Sequence, residues 1–322
     1  MTREEIIRFL GADWTAFSRH FADAVSSDIA MLDFINASVV SHSGKQLRPM
    51  LSLLISRAFG EVNDDGLDYA AASEVLHNAT LIHDDVADNS PLRRGRPTVF
   101  AEMGAQAAVL VGDYWLSRAI GLIMGTKHQN EVVKLFAATL EHLAEGEMLQ
   151  LEKTGTSDTT EEDYLRIIYC KTASLFESTC RSAAISVDAT PEAVDAAGKY
   201  GAAVGMAFQI RDDIFDYEGG DGIGKPRGMD IREGKITLPL LGAMRNSGEC
   251  ERLRDMVRGI PEHPGNCEIL RDKVREGNGV AYAASCLNAY VDDALGALEL
   301  FPECPEKHIL ADLARYNAIR EI

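Results

Sequence analysis

Two acidic clusters of the same form, D-D-x-x-D, have the plainest chemical potential in this chain. Their members are Asp84, Asp85, Asp88, Asp212, Asp213 and Asp216. In a helix, residues four apart lie on one face, so the first and last carboxylates of each cluster project together. Like charges at that spacing destabilise an isolated helix by about 0.2–0.5 kcal/mol, which indicates that a cation normally lies beside them. Paired carboxylates suit Mg²⁺, which keeps several waters and is usually shared with a substrate phosphate.

Two short motifs resemble sites of other chemistry, but each lacks residues that such a site needs. Residues 219–225 match the first seven positions of a Walker A loop, but Pro226 replaces the Ser or Thr that should meet Mg²⁺. No strand precedes that loop, so we predict a mobile flap carrying Lys225 and not an ATPase site. His83 and Asp84 form an H-D pair like that of helical metal-dependent phosphohydrolases, but the other histidines show no supporting spacing.

Cationic residues occur in one early loop and directly after the first acidic cluster. Lys45 and Arg48 lie three apart, before a helix that Pro49 could begin. Solvated charges at a helix N-terminus would explain them, and so would an anion site helped by the helix amides. Three arginines lie between positions 93 and 96, in an otherwise acidic chain. A metal-bound diphosphate on one side and arginine forks on the other would explain both groups.

Polar residues inside apolar helical runs are less specific. His77 precedes Asp84 by seven residues on nearly the same helical face, as either a hydrogen-bonded core residue or a ligand. Lys171 and Thr172 lie within a predicted helix and are unremarkable alone. Gln209 precedes the second cluster by three residues and could equally make a hydrogen bond between packed helices.

The composition is that of a globular protein whose partner is not a nucleic acid. Of the 322 residues, 46% are hydrophobic and 25% are charged, and the net charge is −18, opposite in sign to that of a nucleic-acid binder. The acidic start does not resemble a signal peptide, and no run of 18 apolar residues occurs, so no membrane span is expected. Six scattered cysteines without a C-x-x-C pair favour reduced thiols in a cytoplasmic protein.

Apolar residues recur at helical spacing, and strand signals are nearly absent. The pattern predicts helices at 68–88, 104–125, 129–151, 161–187, 191–217, 235–246 and 280–300. Several are apolar on more than one side, which is typical of buried central helices. We predict an all-α protein, a large bundle of roughly a dozen helices. No linker divides the sequence, so residues 1–322 are expected to form a single domain.

Together these residues resemble the all-trans polyprenyl diphosphate synthase family along most of the chain. Residues 44–49 resemble its G-G-K-R-x-R-P motif, although Ser43 and Gln46 stand where Gly and Arg are common. The acidic clusters resemble its two aspartate-rich motifs, and the R-R-G expected after the first is present at 93–95. Further matching segments are 111–113, 145–150, 171–172, 224–226, Asp230 and 234–235. The resemblance implies a helical bundle of the isoprenoid synthase type around a central cavity.

The resemblance also implies prenyl transfer between two diphosphates. Roughly two or three Mg²⁺ ions on an allylic diphosphate would be held by Asp84, Asp88, Asp212 and Asp216, with Asp85 nearby. The cations that would neutralise this diphosphate are Arg93, Lys171, Lys225 and Lys235. Oxygen dipoles of Thr172 and Gln209 would steady the allylic cation. Isopentenyl diphosphate would be held by Lys45, Arg48, His77 and Arg94, would attack that cation, and would then lose a proton to the released diphosphate. The two acidic clusters would thus form facing walls of one site.

The positions that set product length in the resembled family are small here. They are Ala79 and Thr80, five and four residues before the first aspartate. Each helical turn rises about 5.4 Å, close to one isoprene unit, so an open turn admits further units. We therefore predict a long-chain, octaprenyl-type product for quinone side chains, with a C15 or C20 product as the alternative.

Other functions remain open at this level. The chain could be a non-catalytic subunit of a heteromeric synthase, although such subunits typically lose an aspartate motif. It could be a phosphohydrolase that uses the H-D pair. A class I terpene cyclase would share the fold but would not need Lys45, Arg48 and a second full D-D-x-x-D. The family resemblance further implies a homodimer, and apolar helices such as 104–125 could face a partner.

Overall fold

Helices provide almost all of the regular structure in the computed structural model, which describes residues 2–218 and 228–319. They are α1 Arg3–Leu10, α2 Ala12–Ala24, α3 Ala30–Ser41, α4 Leu47–Phe59, α5 Asp64–Ala87, α6 Val99–Met124, α7 Gln129–Thr156, α8 Glu161–Ile168, α9 Ser174–Ser186, α10 Pro191–Glu218, α11 Met229–Arg232, α12 Leu238–Ser247, α13 Cys250–Arg258, α14 Asn266–Glu276, α15 Gly279–Ala297 and α16 Pro305–Ile319. Strands β1 Leu92–Arg93 and β2 Arg96–Pro97 pair as an antiparallel hairpin. The predicted all-α fold is confirmed.

The helix boundaries differ from the predicted ones where capping and local backbone geometry determine the ends of a helix. The helix beside Pro49 begins at Leu47, so proline lies in its first turn, where no amide hydrogen is required. The predicted helix at 161–187 contains one turn of π-helix, Tyr169–Ala173, between α8 and α9. Short helices such as α1 and α11 raise the number above the predicted dozen, because patterns of 4 to 8 residues carry little periodic signal.

The described chain forms two compact units, and each is assembled from three separate stretches. The first unit comprises Met1–Ala137, Ser178–Gly198 and Leu300–Leu310. The second unit comprises Ala138–Glu177, Lys199–Glu299 and Ala311–Ile322. The expected single domain over residues 1–322 stays a prediction.

Helix α5 is the central element of the first unit and ends in the first acidic cluster. Asn63 caps it by accepting a hydrogen bond from the Gly66 amide, which satisfies a donor that the helix itself leaves unpaired. Its middle is a run of fully buried alanines, residues 70–72, and it packs against α2, α4 and α6. After Ala87 the chain turns through Asn89, which has a left-handed backbone, and the Ser90 amide bonds back to the Asp85 carbonyl. This turn leaves Asp84 and Asp88 at the exposed end of α5.

Helix α6 is long and apolar, and part of its apolar surface is exposed. Gly104, with a φ of +80°, kinks it at the point where the sequence pattern began the helix. By length and composition alone, Val99–Met124 could cross a membrane, and it is the one helix of the described residues that passes this test. Buried core helices pass the same test, so the expectation of no membrane span stays a prediction.

The second unit has its own apolar core, and helix α10 carries the second acidic cluster along it. Leu238 and Leu240 of α12 pack with Leu270 of α14 and Leu287 of α15 in one buried cluster. Ile210 belongs to the same cluster. Because Ile210 lies between Gln209 and the aspartates, its burial fixes the rotation of α10 about its axis.

Candidate active site

The first acidic cluster separates into an exposed pair and a buried carboxylate. Asp84 and Asp88 are exposed at the end of α5, as the spacing of four predicts. Asp85 is 5% exposed and accepts a hydrogen bond from Nε of Arg93 at 2.8 Å. Burial raises the pKa of Asp85, and the charge of Arg93 opposes that rise. The structure thus pairs two predicted site residues, Asp85 and Arg93, with each other.

The arginines after the first cluster lie on the hairpin β1–β2. Arg94 and Gly95 form its two-residue turn, both with positive φ, as a type I′ connection requires. The Arg94 Nη1 atom donates to the His42 carbonyl at 3.0 Å. A Cβ at Gly44 would lie 2.2 Å from that nitrogen, so a larger residue there would displace the guanidinium. This contact brings Arg94 to the loop that contains Lys45.

The loop that carries Lys45 is tethered by backbone contacts. Arg3 of α1 donates from Nε to the Lys45 carbonyl at 3.1 Å. Ser43, buried, donates its hydroxyl to the Val40 carbonyl at 2.7 Å. Gln46 adopts a left-handed backbone with a φ of +52° immediately before α4. Ser43 therefore has a structural role at the position where the resembled family commonly has glycine.

A buried acid, Glu74, lies among the predicted isopentenyl diphosphate residues and was not singled out from the sequence. Glu74 is 1% exposed, and burial raises its pKa to about 7, although the charges of Arg48 and Arg94 lower it. Burial lowers the pKa of Arg48 to about 10, with Glu74 opposing. Burial and then the charges of Arg48, Arg94 and Arg93 lower the pKa of His77 well below its ordinary value. His77 is therefore a neutral imidazole beside two guanidinium groups.

A glutamate in the middle of an apolar run, three residues before His77, is the signal that could have revealed this group. Oε1 of Glu74 accepts a hydrogen bond from Asn78 at 3.4 Å, and its Oε2 is buried without a hydrogen-bond partner among the described residues. A buried acid of this kind is stable only near opposite charge. The charges of Arg48 and Arg94 therefore favour the ionised form of Glu74, and burial opposes it.

In the second acidic cluster, Asp216 accepts one backbone hydrogen bond on each carboxylate oxygen, which leaves further lone pairs available. Its two carboxylate oxygens accept from the amides of Met229 at 3.0 Å and Asp230 at 3.1 Å, at the start of α11. Burial and the charge of Asp216 raise the pKa of Asp230, with Lys235 opposing. Lys235 pairs with Glu233 at 2.6 Å. Lys225, predicted on the preceding loop, lies outside the described residues.

Lys171 and Thr172 lie on the π-helical turn. Two glycines let neighbouring helices approach this turn closely. A Cβ at Gly146 of α7 would lie 2.6 Å from Cβ of Cys170, and one at Gly205 of α10 would lie 2.6 Å from the Cα of Ala173. Single π-helical turns inside α-helices occur frequently at functional sites. The closeness of α10 lets the Thr172 hydroxyl donate to Oε1 of Gln209 at 2.8 Å. Lys171 forms an ion pair with Glu147.

The second aspartate of the second cluster is buried beneath this turn. Asp213 accepts hydrogen bonds from the Tyr164 hydroxyl at 2.7 Å and from Nε2 of Gln209 at 2.8 Å. Burial raises the pKa of Asp213, and Asp230 adds to the rise. Tyr164, 3% exposed, was not identified from the sequence, because a tyrosine in a helix carries no signal of its partner.

The remaining predicted positions are placed as follows. Ala79 is fully buried in α5, and the hydroxyl of half-buried Thr80 donates to the His77 carbonyl at 2.8 Å. His83 of the H-D pair lies against Gly112 of α6, with Nε2 3.4 Å from Asp113. Within residues 2–218 and 228–319, no group of three His, Cys, Asp or Glu side chains is placed to hold a metal ion. The donor chemistry of the paired carboxylates, hard and anionic, nevertheless fits Mg²⁺ with further oxygens from a substrate.

Comparison with known proteins gives a consistent result over the whole chain. Residues 30–273 match the family model described as Polyprenyl synthetase. The octaprenyl diphosphate synthase of Escherichia coli (strain K12) is 34% identical over 325 residues, covering 100% of both chains.

Two solved structures share the fold. A decaprenyl diphosphate synthase from Rhodobacter capsulatus superposes with a TM-score of 0.92 at 34% identity, covering 99% of this chain and 100% of that one. A polyprenyl synthase from Caulobacter crescentus CB15, in complex with calcium and isoprenyl diphosphate, gives a TM-score of 0.89 at 33% identity. It covers 99% of this chain and 98% of the other.

Proposed function

Because this chain belongs to the polyprenyl synthetase family and is a prenyltransferase, we propose that it joins isopentenyl diphosphate to an allylic diphosphate repeatedly, making a long all-trans polyprenyl diphosphate. The observation that carries the proposal is the carboxylate pair Asp84 and Asp88, exposed at the end of α5 and followed at once by the arginine hairpin. The carboxylates offer hard ligands for Mg²⁺, and the arginines offer positive charge, so both could act on one diphosphate.

On the allylic side, the proposed Mg²⁺ ligands are Asp84, Asp88, Asp212 and Asp216. Bound Mg²⁺ would supply charge neutralisation for the leaving diphosphate. The Caulobacter crescentus structure, which is in complex with calcium and isoprenyl diphosphate, supports the use of a divalent cation. Arg93, Lys171 and Lys235 would add positive charge, together with Lys225. Asp85 keeps Arg93 in position through the 2.8 Å hydrogen bond, which is a supporting role and not a ligand role.

On the other side, Lys45, Arg48, His77 and Arg94 would hold isopentenyl diphosphate. Arg48 and Arg94 both interact electrostatically with buried Glu74, and the hydrogen bond to the His42 carbonyl holds Arg94 before the ligand arrives. Neutral His77 can donate one hydrogen bond without adding charge. Preorganised donors of this kind lower the cost of binding, because little reorganisation remains to be done.

The reaction needs no side-chain nucleophile. The carbon–oxygen bond of the allylic diphosphate breaks, and its electron pair leaves with the diphosphate. The double bond of isopentenyl diphosphate then forms the new carbon–carbon bond, and a proton passes to the released diphosphate. The oxygen of Thr172, with Gln209 bonded to it at 2.8 Å, would stabilise the transient cation.

The long-chain product is supported by small side chains and by the relatives. Ala79, which is buried, and Thr80, which is half-buried, are small residues of α5. Neither side chain is therefore a bulky barrier along that helix. Two of the relatives named above are an octaprenyl and a decaprenyl diphosphate synthase. The test is to incubate the protein with farnesyl diphosphate, radiolabelled isopentenyl diphosphate and Mg²⁺, and to chromatograph the dephosphorylated products. We expect products well beyond C20, and a single C15 or C20 band would contradict a long-chain synthase.

We also propose that the protein is a cytoplasmic homodimer in which a second copy covers the exposed side of α6. Leu110 is 61% exposed and Met124 is 49% exposed. Both lie on the regular part of α6 after the Gly104 kink, about four helical turns apart, so they share one side of the helix. No disulfide bond joins cysteines of the described residues, and reduced thiols are typical of cytoplasmic proteins.

A further inference from the structure

The side chains of Tyr164, Asp213, Gln209 and Thr172 form a continuous hydrogen-bonded chain in the second unit. The Tyr164 hydroxyl and Nε2 of Gln209 each donate to one oxygen of Asp213, at 2.7 and 2.8 Å. Oε1 of Gln209 accepts from the Thr172 hydroxyl at 2.8 Å. Tyr164, Asp213 and Thr172 are 3%, 5% and 8% exposed, so water competes little for these bonds.

We propose that Tyr164 and Asp213 are positioning residues, which act through the Gln209 amide to fix the direction of the Thr172 hydroxyl. This inference rests on the proposed function, in which the Thr172 oxygen faces the allylic cation. Asp213 is thus assigned a role different from that of Asp212 and Asp216, although all three belong to one D-D-x-x-D motif.

The direction of each bond follows from the donor and acceptor capacity of the groups. A glutamine amide has a donor end and an acceptor end of nearly equal size, and nothing in its own shape selects one orientation. A carboxylate only accepts, so Asp213 selects the NH₂ end of Gln209 and turns its oxygen toward Thr172. Gln209 oxygen in turn takes the single hydroxyl hydrogen of Thr172. The Thr172 oxygen is then left with lone pairs, and not its hydrogen, for other contacts.

This direction matters for a cationic intermediate. A hydroxyl presents negative charge through its lone pairs and positive charge through its hydrogen. Rotation of the Thr172 hydroxyl would therefore change a stabilising dipole into a repulsive one. Gly205 supports the arrangement, because a Cβ at that position would lie 2.6 Å from the Cα of Ala173, next to Thr172.

The experiment measures single-turnover rates with enzyme in excess over farnesyl diphosphate, so that product release does not mask the chemical step. Tyr164→Phe removes one hydrogen bond to the carboxylate and should slow the single turnover by about tenfold. The KM values of both substrates and the Mg²⁺ concentration for half-maximal rate should stay within about twofold of wild type. A changed Mg²⁺ requirement would assign the network to metal binding and overturn the positioning role.

A double-mutant cycle with Thr172→Val separates positioning from a general structural effect. If Tyr164 acts only through the Thr172 hydroxyl, Tyr164→Phe should slow the Thr172→Val protein by less than about twofold. A further tenfold loss in that background, or an unchanged rate for Tyr164→Phe alone, would overturn the inference. A wild-type protein that transfers no prenyl group would instead contradict the proposed function itself.

Two further variants keep the result interpretable. Asp213→Asn is isosteric, but its amide can donate or accept, so the Gln209 amide is free to adopt either orientation. This variant should slow the single-turnover rate at least as much as Tyr164→Phe. It replaces Tyr164→Phe if that protein fails to fold. Tyr69→Phe is the matched control, since Tyr69 is a fully buried tyrosine bonded to Thr126 at 2.6 Å in the first unit. It should turn over at the wild-type rate.

Discussion

Replacing Glu74 by glutamine should change how the stability of the protein depends on pH. Burial raises the pKa of Glu74 from its ordinary 4.5 to about 7. Below pH 4.5 the carboxyl is protonated in both the folded and the unfolded chain and costs nothing. As pH rises from 4.5 to 7, the unfolded chain releases the proton first, so the wild type loses stability across this window and levels off above it. The neutral amide of Glu74→Gln has no proton to release.

The magnitude follows from the two pKa values. Their difference, 7 − 4.5, is 2.5, and at about 1.36 kcal/mol for each unit this corresponds to about 3 kcal/mol. The assay is urea unfolding followed by circular dichroism at pH 4.5, 5.5, 6.5 and 8, at one protein concentration. We expect the free energy of unfolding of wild type minus that of Glu74→Gln to fall by about 3 kcal/mol from the lowest to the highest pH.

A control and a refuting outcome complete this experiment. Glu102→Gln changes an exposed glutamate of α6 and should run parallel to wild type at every pH. Parallel profiles for Glu74→Gln and wild type would refute the argument that a buried, proton-binding carboxyl lies beneath Arg48 and Arg94. A constant offset between the two profiles is such a parallel result, because only a difference that changes with pH reports proton binding by Glu74.

Three other predictions concern the product, the isopentenyl diphosphate site and the oligomer. Ala79→Phe should shorten the longest product by at least one isoprene unit, and an unchanged product pattern on chromatography would contradict a tunnel along α5. Gly44→Ala should raise the KM for isopentenyl diphosphate about tenfold, because the new Cβ would lie 2.2 Å from Nη1 of Arg94; an unchanged KM would separate Arg94 from that substrate. Leu110→Glu should halve the mass measured by light scattering to about one chain of 35.1 kDa, and an intact dimer would exclude the exposed side of α6 as the interface.

The helical class and the location of the first acidic pair could be predicted from the sequence because both are local properties. Apolar spacing predicted α5 and α10, and the spacing of four predicted that Asp84 and Asp88 share a face. Spacing alone does not reveal which face a helix buries. For this reason the sequence did not separate Asp85, which pairs with Arg93, from its exposed neighbours.

The supporting residues of the site depend on contacts between distant parts of the chain. Tyr164 meets Asp213 across 49 positions, and no local pattern encodes that contact. The π-helical turn at Lys171 and Thr172 depends on the close approach of α7 and α10, which Gly146 and Gly205 permit. Glu74 was detectable in principle as a charge within an apolar run, but its partners Arg48 and Arg94 lie on other elements.

The central claim is that both aspartate clusters serve prenyl transfer, and isopentenyl diphosphate incorporation tests it most directly. Wild type, Asp84→Ala and Asp212→Ala would be compared with farnesyl diphosphate, labelled isopentenyl diphosphate and Mg²⁺, after circular dichroism has shown that all three are folded. We predict incorporation by wild type and a loss of at least about 100-fold in each variant. Near-full incorporation by either variant would contradict the role of that cluster.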